Sequence, residues 1–170
     1  MFKIGDKVVH PAYGGGTIVQ IEERNIAGEL TRYYAIELVL RDGLLLVPVE
    51  RAEELGVRLA VEDIQSVIAA LGAEPNELPD NLRGRAQKQL SADIHSGDVI
   101  KVTEVVRDLA HRKAADRVTK TDLDLLSDAE DFLAVELALS QELDLDSARS
   151  QIEAALNLPE FDEDEEEADA

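Results

Sequence analysis

The spacing of apolar and polar residues changes period once along the chain, near residue 60. Before that point the pattern is one of short strands. Residues 7–10 (KVVH) read as a strand stopped by Pro11, and residues 13–16 (YGGG) as a turn, because glycine tolerates positive φ. Residues 17–24 (TIVQIEER) alternate, with Ile18 and Val19 facing opposite ways. Asn25 and Gly28 offer a hairpin connection into residues 31–40 (TRYYAIELVL), the strongest strand signal in the chain. A second turn at 41–43 (RDG) leads to a fourth strand at 44–49 (LLLVPV). Pro48 cannot donate to a ladder and belongs at an edge or a strand end. Four or five short strands joined by tight turns predict a small antiparallel barrel of SH3 or Tudor type.

From about residue 61 the period becomes helical. Apolar positions 61, 64, 67, 68 and 71 define a first helix stopped by Gly72. The segment 73–80 (AEPNELPD), with two prolines, reads as a connection. A second helix is expected over 81–94. A third starts at a Ser96 cap and puts Val99, Val102, Val106 and Leu109 on one face. A fourth follows a threonine cap, with Leu123, Leu126, Leu133 and Leu137 at helical spacing, and a fifth spans 144–157 ahead of Pro159. The fold class is therefore α+β, a small barrel followed by a compact bundle of about five helices. The expected units are residues 1–60, 61–158 and an acidic tail at 159–170. The last eleven residues, EFDEDEEEADA, hold eight acids and are expected to be disordered.

Charge adds what periodicity does not. The chain of 170 residues has a formal net charge of −20, yet residues 81–120 carry nine Lys/Arg against five Asp/Glu. Residues 121–170 carry one against 18. A uniformly acidic surface does not change sign in this way. The basic island centres on NLRGRAQKQL (81–90), with Arg83, Arg85 and Lys88 and no acid. Three cations at i, i+2 and i+5 fan over about half a helix circumference. Each phosphate they neutralise releases counterions, which gives weak, salt-sensitive, sequence-independent binding. Lys101, Arg107, Arg112, Lys113, Arg117 and Lys120 extend the patch if the helices pack side by side. The bland alternative is a set of ordinary solvated positions.

No catalytic constellation is visible. The glycine triplet lacks the Gly-Lys-Ser/Thr ending of a P-loop and the spacing of a dinucleotide turn. His10, His95 and His111 stand far apart, there is no G-x-S-x-G elbow, and the chain has no cysteine for thiolate chemistry or disulfides. The sequence shows no signal-peptide pattern and no apolar run of membrane-spanning length. The expectation is a cytoplasmic, monomeric, non-enzymatic binding protein with no cofactor and no membrane partner.

Five segments carry a family resemblance. FKIGDKVVHPAYGGG, followed by YYAIELV and LLLVPVERAEELGVR, resembles the RNA-polymerase-interacting module of the CarD/CdnL family of bacterial transcription regulators. SGDVIKVTEVVRDLAHR and LLSDAEDFLAVELALS resemble successive helices of that family's second domain. The resemblance covers roughly residues 2–157. The same β module occurs in transcription-repair coupling factors, but this chain has neither the length nor the P-loop of their motor.

The resemblance implies that the Tudor-like module docks on the β subunit of RNA polymerase with the housekeeping sigma factor. The helical domain then lies against promoter DNA at the upstream edge of the bubble, and the open complex is stabilised. It implies polymerase binding by Arg24, Ile26, Tyr34, Leu46, Val47 and Pro48, with Leu46 standing where relatives can have an arginine. It implies DNA binding, weak and non-specific, by Leu82, Arg83, Arg85 and Lys88. The family's wedge tryptophan is absent, and Leu82, after Asn81, holds its place. Leucine is among the apolar wedges that pry at base steps but has no ring to stack. The alternative is a polymerase-binding adaptor without DNA contact, in which Leu82 is a core residue. The acidic tail is expected to compete with DNA for the basic patch.

Overall fold

The computed structural model describes residues 1–160. The acidic tail expected over 159–170 lies, from residue 161 onward, outside the described residues. The first unit is a five-stranded antiparallel sheet: β1 (Lys7–His10), β2 (Gly14–Ile26), β3 (Glu29–Leu38), β4 (Leu44–Pro48) and β5 (Arg58–Leu59), in the order β4-β3-β2-β1-β5. A short 3-10 turn, Val49–Arg51, follows β4. Alternation works as the sequence suggests: Ile18 is buried and Val19 exposed. A register shift between Ile18 and Gln20 then marks a bulge, which bends β2 and raises its twist. The core beneath is Val8, Ile18, Tyr34, Ile36, Val47, Ala52 and Val57, with Phe2 packed edge-on against Tyr34.

Two features of this sheet differ from the sequence reading. β2 and β3 form a hairpin far longer than the short strands expected, closed at Ala27-Gly28 with φ of 54° and 86°. Both positive values are what a two-residue type I′ connection needs, and Asn25 Oδ1 accepts from the Gly28 N–H at 3.1 Å. The YGGG segment is not a turn. Gly14, Gly15 and Gly16 open β2 and are buried.

The second unit comprises α1 (Ile64–Gly72), α2 (Arg85–Ile94), α3 (Val99–Ala114), α4 (Lys120–Gln141) and α5 (Leu145–Ala155). α3 is the central helix, packed on α1, α2 and α4. Its buried stripe includes Val102, Val105, Val106 and Leu109, and α4 answers with Leu126, Ala129, Leu133, Ala134 and Leu137. Asp98, not Ser96, caps α3, accepting from Ile100 N–H at 2.9 Å, while the Ser96 hydroxyl bonds Asp93 O at 2.7 Å. Thr119 and Asp122 form a reciprocal capping box at the start of α4. Leu123, expected on the apolar stripe, is exposed.

The glycine triplet explains how the units meet. α4 lies directly on the start of β2. A methyl group on Gly15 would come within 2.6 Å of Leu139 Cδ1 and 2.8 Å of Val135 Cγ1. Only a residue without Cβ lets helix and strand approach this closely. Pro11 fills a second seam, against Gly56 on one side and Gly97 on the other.

Candidate polymerase and nucleic-acid interfaces

β4 is an edge strand, paired with β3 on one side only among the described residues. Its other side offers unpaired backbone donors and acceptors, a template for an added strand. Beside it the surface is unusually apolar. Leu44 is exposed, Ile26 and Leu30 in the long hairpin are 54% and 66% exposed, and Leu46 and Pro48 are partly so. A cleft of about 240 Å³ runs between Leu30, Thr31, Arg32, Pro48, Glu50 and Arg51. Leu30 and Leu44 escaped the sequence reading, although both are large apolar residues at strand ends. Arg24 is exposed and held by Glu22 at 2.7 Å.

Two residues expected to touch polymerase are instead core. Tyr34 is 1% exposed and Val47 2%. They face each other across the β3–β4 ladder, and the Tyr34 hydroxyl accepts the Phe2 backbone N–H at 3.0 Å. Strand alternation puts them on the inner face, while Leu46, next to Val47 along β4, points away.

The basic island divides in a similar way. Residues 81–84 are not helical, and α2 starts only at Arg85, after Gly84 at φ 58°. Arg83, Arg85 and Lys88 are exposed, and none makes an ion pair among the described residues. Leu82 is 3% exposed and sits in the helical core near Leu90 and Val105. In this conformation it presents no wedge. The turn at 81–84 tucks it inward while its neighbour Arg83 points out.

α2 differs from its companions at its N-terminus. Asp63, Asp98, Thr119 and Asp144 cap the other four helices, but α2 has no side-chain cap and no acid in its first turn. Cations at that position oppose the helix dipole, at about 0.3–1 kcal/mol each. Arg85 and Lys88 therefore do not serve helix stability. Together with free N–H groups they make a terminus suited to phosphate oxygens.

The other cations expected to extend the patch split into two groups. Arg107 is buried, pairs with Asp108 at 2.8 Å and donates to Ala70 O at 3.2 Å. Arg112 donates to Pro79 O and Asp80 O, at 3.0 and 2.6 Å, and Arg117 pairs with Asp80. Arg112 and Arg117 hold the end of the 73–80 connection, and Arg107 ties α3 to the last turn of α1. Lys101, Lys113 and Lys120 remain exposed.

Among the described residues no group of three His, Cys, Asp or Glu converges to hold a metal ion, and no helix is long and apolar enough to cross a membrane. Burial lowers the pKa of His10, whose Nδ1 accepts the Ala12 N–H at 3.0 Å. Glu130 is shifted the other way, raised chiefly by burial against the opposing pull of Lys113 and Arg149.

Comparison with known proteins decides the family. Residues 2–60 match the CarD-like/TRCF RID domain, and residues 66–153 match the CarD C-terminal domain. The chain belongs to the CarD family. It is 30% identical over 139 residues to the Bacillus subtilis (strain 168) protein named "Putative transcription factor YdeB", covering 81% of this chain and 90% of that one. The sheet is thus the Tudor-like RID module, and the CarD-like protein described here is a transcription regulator rather than a member of an enzyme family.

Proposed function

We propose that this CarD-family regulator docks on the β subunit of RNA polymerase and stabilises the open promoter complex from the upstream edge of the bubble. Docking uses the β4 edge with Leu44, Leu46 and Pro48, flanked by Arg24, Ile26 and Leu30. The DNA-facing element is the N-terminus of α2 with Arg83, Arg85 and Lys88. The observation that carries this reading is that uncapped terminus, where three cations stand unpaired among the described residues and no acid lies in the helix's first turn. Contact is to phosphates, so it is salt-dependent and independent of sequence. A chain of net charge −20 repels free duplex, so the patch works only after polymerase delivers it at high effective concentration. Such a partner places the protein in the bacterial cytoplasm, acting with the housekeeping sigma factor and without cofactor.

The burial of Leu82 favours a second reading, an adaptor that binds polymerase and leaves DNA untouched. The deciding experiment measures open-complex lifetime on a ribosomal RNA promoter with cognate holoenzyme. Wild type is expected to lengthen it, and reversal of Arg83, Arg85 and Lys88 to Glu to remove the effect while polymerase binding persists. Polymerase binding by wild type with no change in lifetime rejects the DNA half and leaves the adaptor.

A further inference from the structure

Glu136 is the only acid in the run Leu133–Leu139, the most apolar stretch of α4, and it is 4% exposed. Among the described residues, every hydrogen bond its carboxylate accepts comes from outside its own helix. Arg58 of β5 donates from Nη1 to Oε1 and from Nη2 to Oε2, the second at 3.0 Å, and the Val61 N–H donates to Oε1 at 2.9 Å. The same guanidinium donates through Nε to Gly97 O, in the turn between α2 and α3. Arg58 therefore ties the sheet to α4 and to the turn that follows the basic helix. The Ser140 hydroxyl adds a bond to Val61 O one turn along α4.

Apolar contact would hold two such units together without this pair. Val135 and Leu139 already press on Gly15. Greasy surfaces tolerate sliding, whereas a bidentate pair on a buried carboxylate is satisfied in a single register. The charge is costly to bury, so its return lies in geometry more than in adhesion.

We propose that Arg58 and Glu136 are positioning residues that fix the β4 edge and the α2 terminus in one relative orientation. Strand and basic helix then meet polymerase and promoter together without a search between domains. This inference rests on the function proposed above. Preorganisation raises effective concentration at the second contact, and a loosened joint forfeits it.

The test places spin-label pairs on β3 and α2 and records their distance distribution, alongside open-complex lifetime and polymerase affinity. Glu136→Gln is expected to broaden the distribution, leave polymerase affinity unchanged and cut the lifetime extension about tenfold. Should Glu136→Gln fold poorly, Arg58→Lys keeps the charge but loses the fork, and Arg58→Glu with Glu136→Arg restores a pair. The exchanged pair is expected to recover part of both readouts. An unchanged distance distribution overturns the clamp whatever the lifetime does. A broadened distribution with full lifetime extension overturns its role in positioning. If wild type itself leaves the lifetime unchanged, the proposed function fails, and the role of the clamp fails with it.

Discussion

Leu82→Ala separates a core leucine from a wedge. The substitution deletes three carbons from a side chain that is 3% exposed. At about 0.8 kcal/mol per buried carbon, the transfer term alone is about 2.4 kcal/mol. A cavity term adds to this, and comparable substitutions span roughly 2–5 kcal/mol. Here the cavity term should be small. Leu82 borders an open groove of about 230 Å³, lined also by Leu78, Ala86 and Leu90, into which neighbours and water can move. The expected loss is therefore about 2–3 kcal/mol, in the lower part of that range. For a chain of this size it corresponds to a fall in Tm of roughly 5–10 °C. Urea titration and thermal melting read it directly. Leu82→Met, close in volume, should cost less than about 1.5 kcal/mol. Lifetime measured well below both melting points should be nearly the same for Leu82→Ala and wild type. Stability within about 0.5 kcal/mol of wild type, with a much shortened open-complex lifetime, would refute the core placement and restore the wedge.

Gly15→Val puts a branched side chain where Leu139 and Val135 leave room for hydrogen only. It should cost at least about 1–3 kcal/mol and loosen α4 from β2, visible as faster amide exchange along that seam. Asp144 accepts the Ser147 N–H at 2.7 Å, which holds its pKa below the usual carboxylate range. Its contribution is present above the unfolded pKa and is lost as pH falls through the folded one. In Asp144→Ala, helicity of α5 should therefore be lower at neutral pH and converge with wild type on acidification. Deleting residues 161–170 removes seven acids and should strengthen duplex binding at low salt, with the gain shrinking as salt rises. Equal affinities at low salt count against competition by the tail.

The helices were legible because their apolar faces repeat at 3.6 residues and their stops are Gly72 and Pro159. The sheet was legible through Ile18, the TRYYAIELVL run and Pro48. Most of the failures share a cause: they depended on tertiary contact. Glycines at 14–16 signal a turn locally, and only α4 lying on Gly15 and β3 pressing on Gly16 show why Cβ is excluded. Tyr34 and Leu46 look equally suited to an interface until strand register turns one inward. The start of α2 moved because Gly84 adopts a positive φ that a helical pattern does not announce. Glu136 was hidden among 37 acids, where a solvated face is the reasonable default. Its signal was its company, a lone charge in LAVELAL.

The open side of β4 has a consequence for the protein's own company in solution. A bare strand edge pairs as readily with a second copy of itself as with any other partner. No proline interrupts β4 before its last residue, and no lysine guards it. What opposes the approach of a second copy is the shared sign of charge. At a net charge of −20, approach is repelled over a distance set by the ionic atmosphere, about 10 Å at 0.1 M salt and about 3 Å at 1 M. On the proposed function, the acidity that weakens attraction to free DNA also opposes self-pairing at the β4 edge left open among the described residues, by electrostatics where other sheets rely on steric cover.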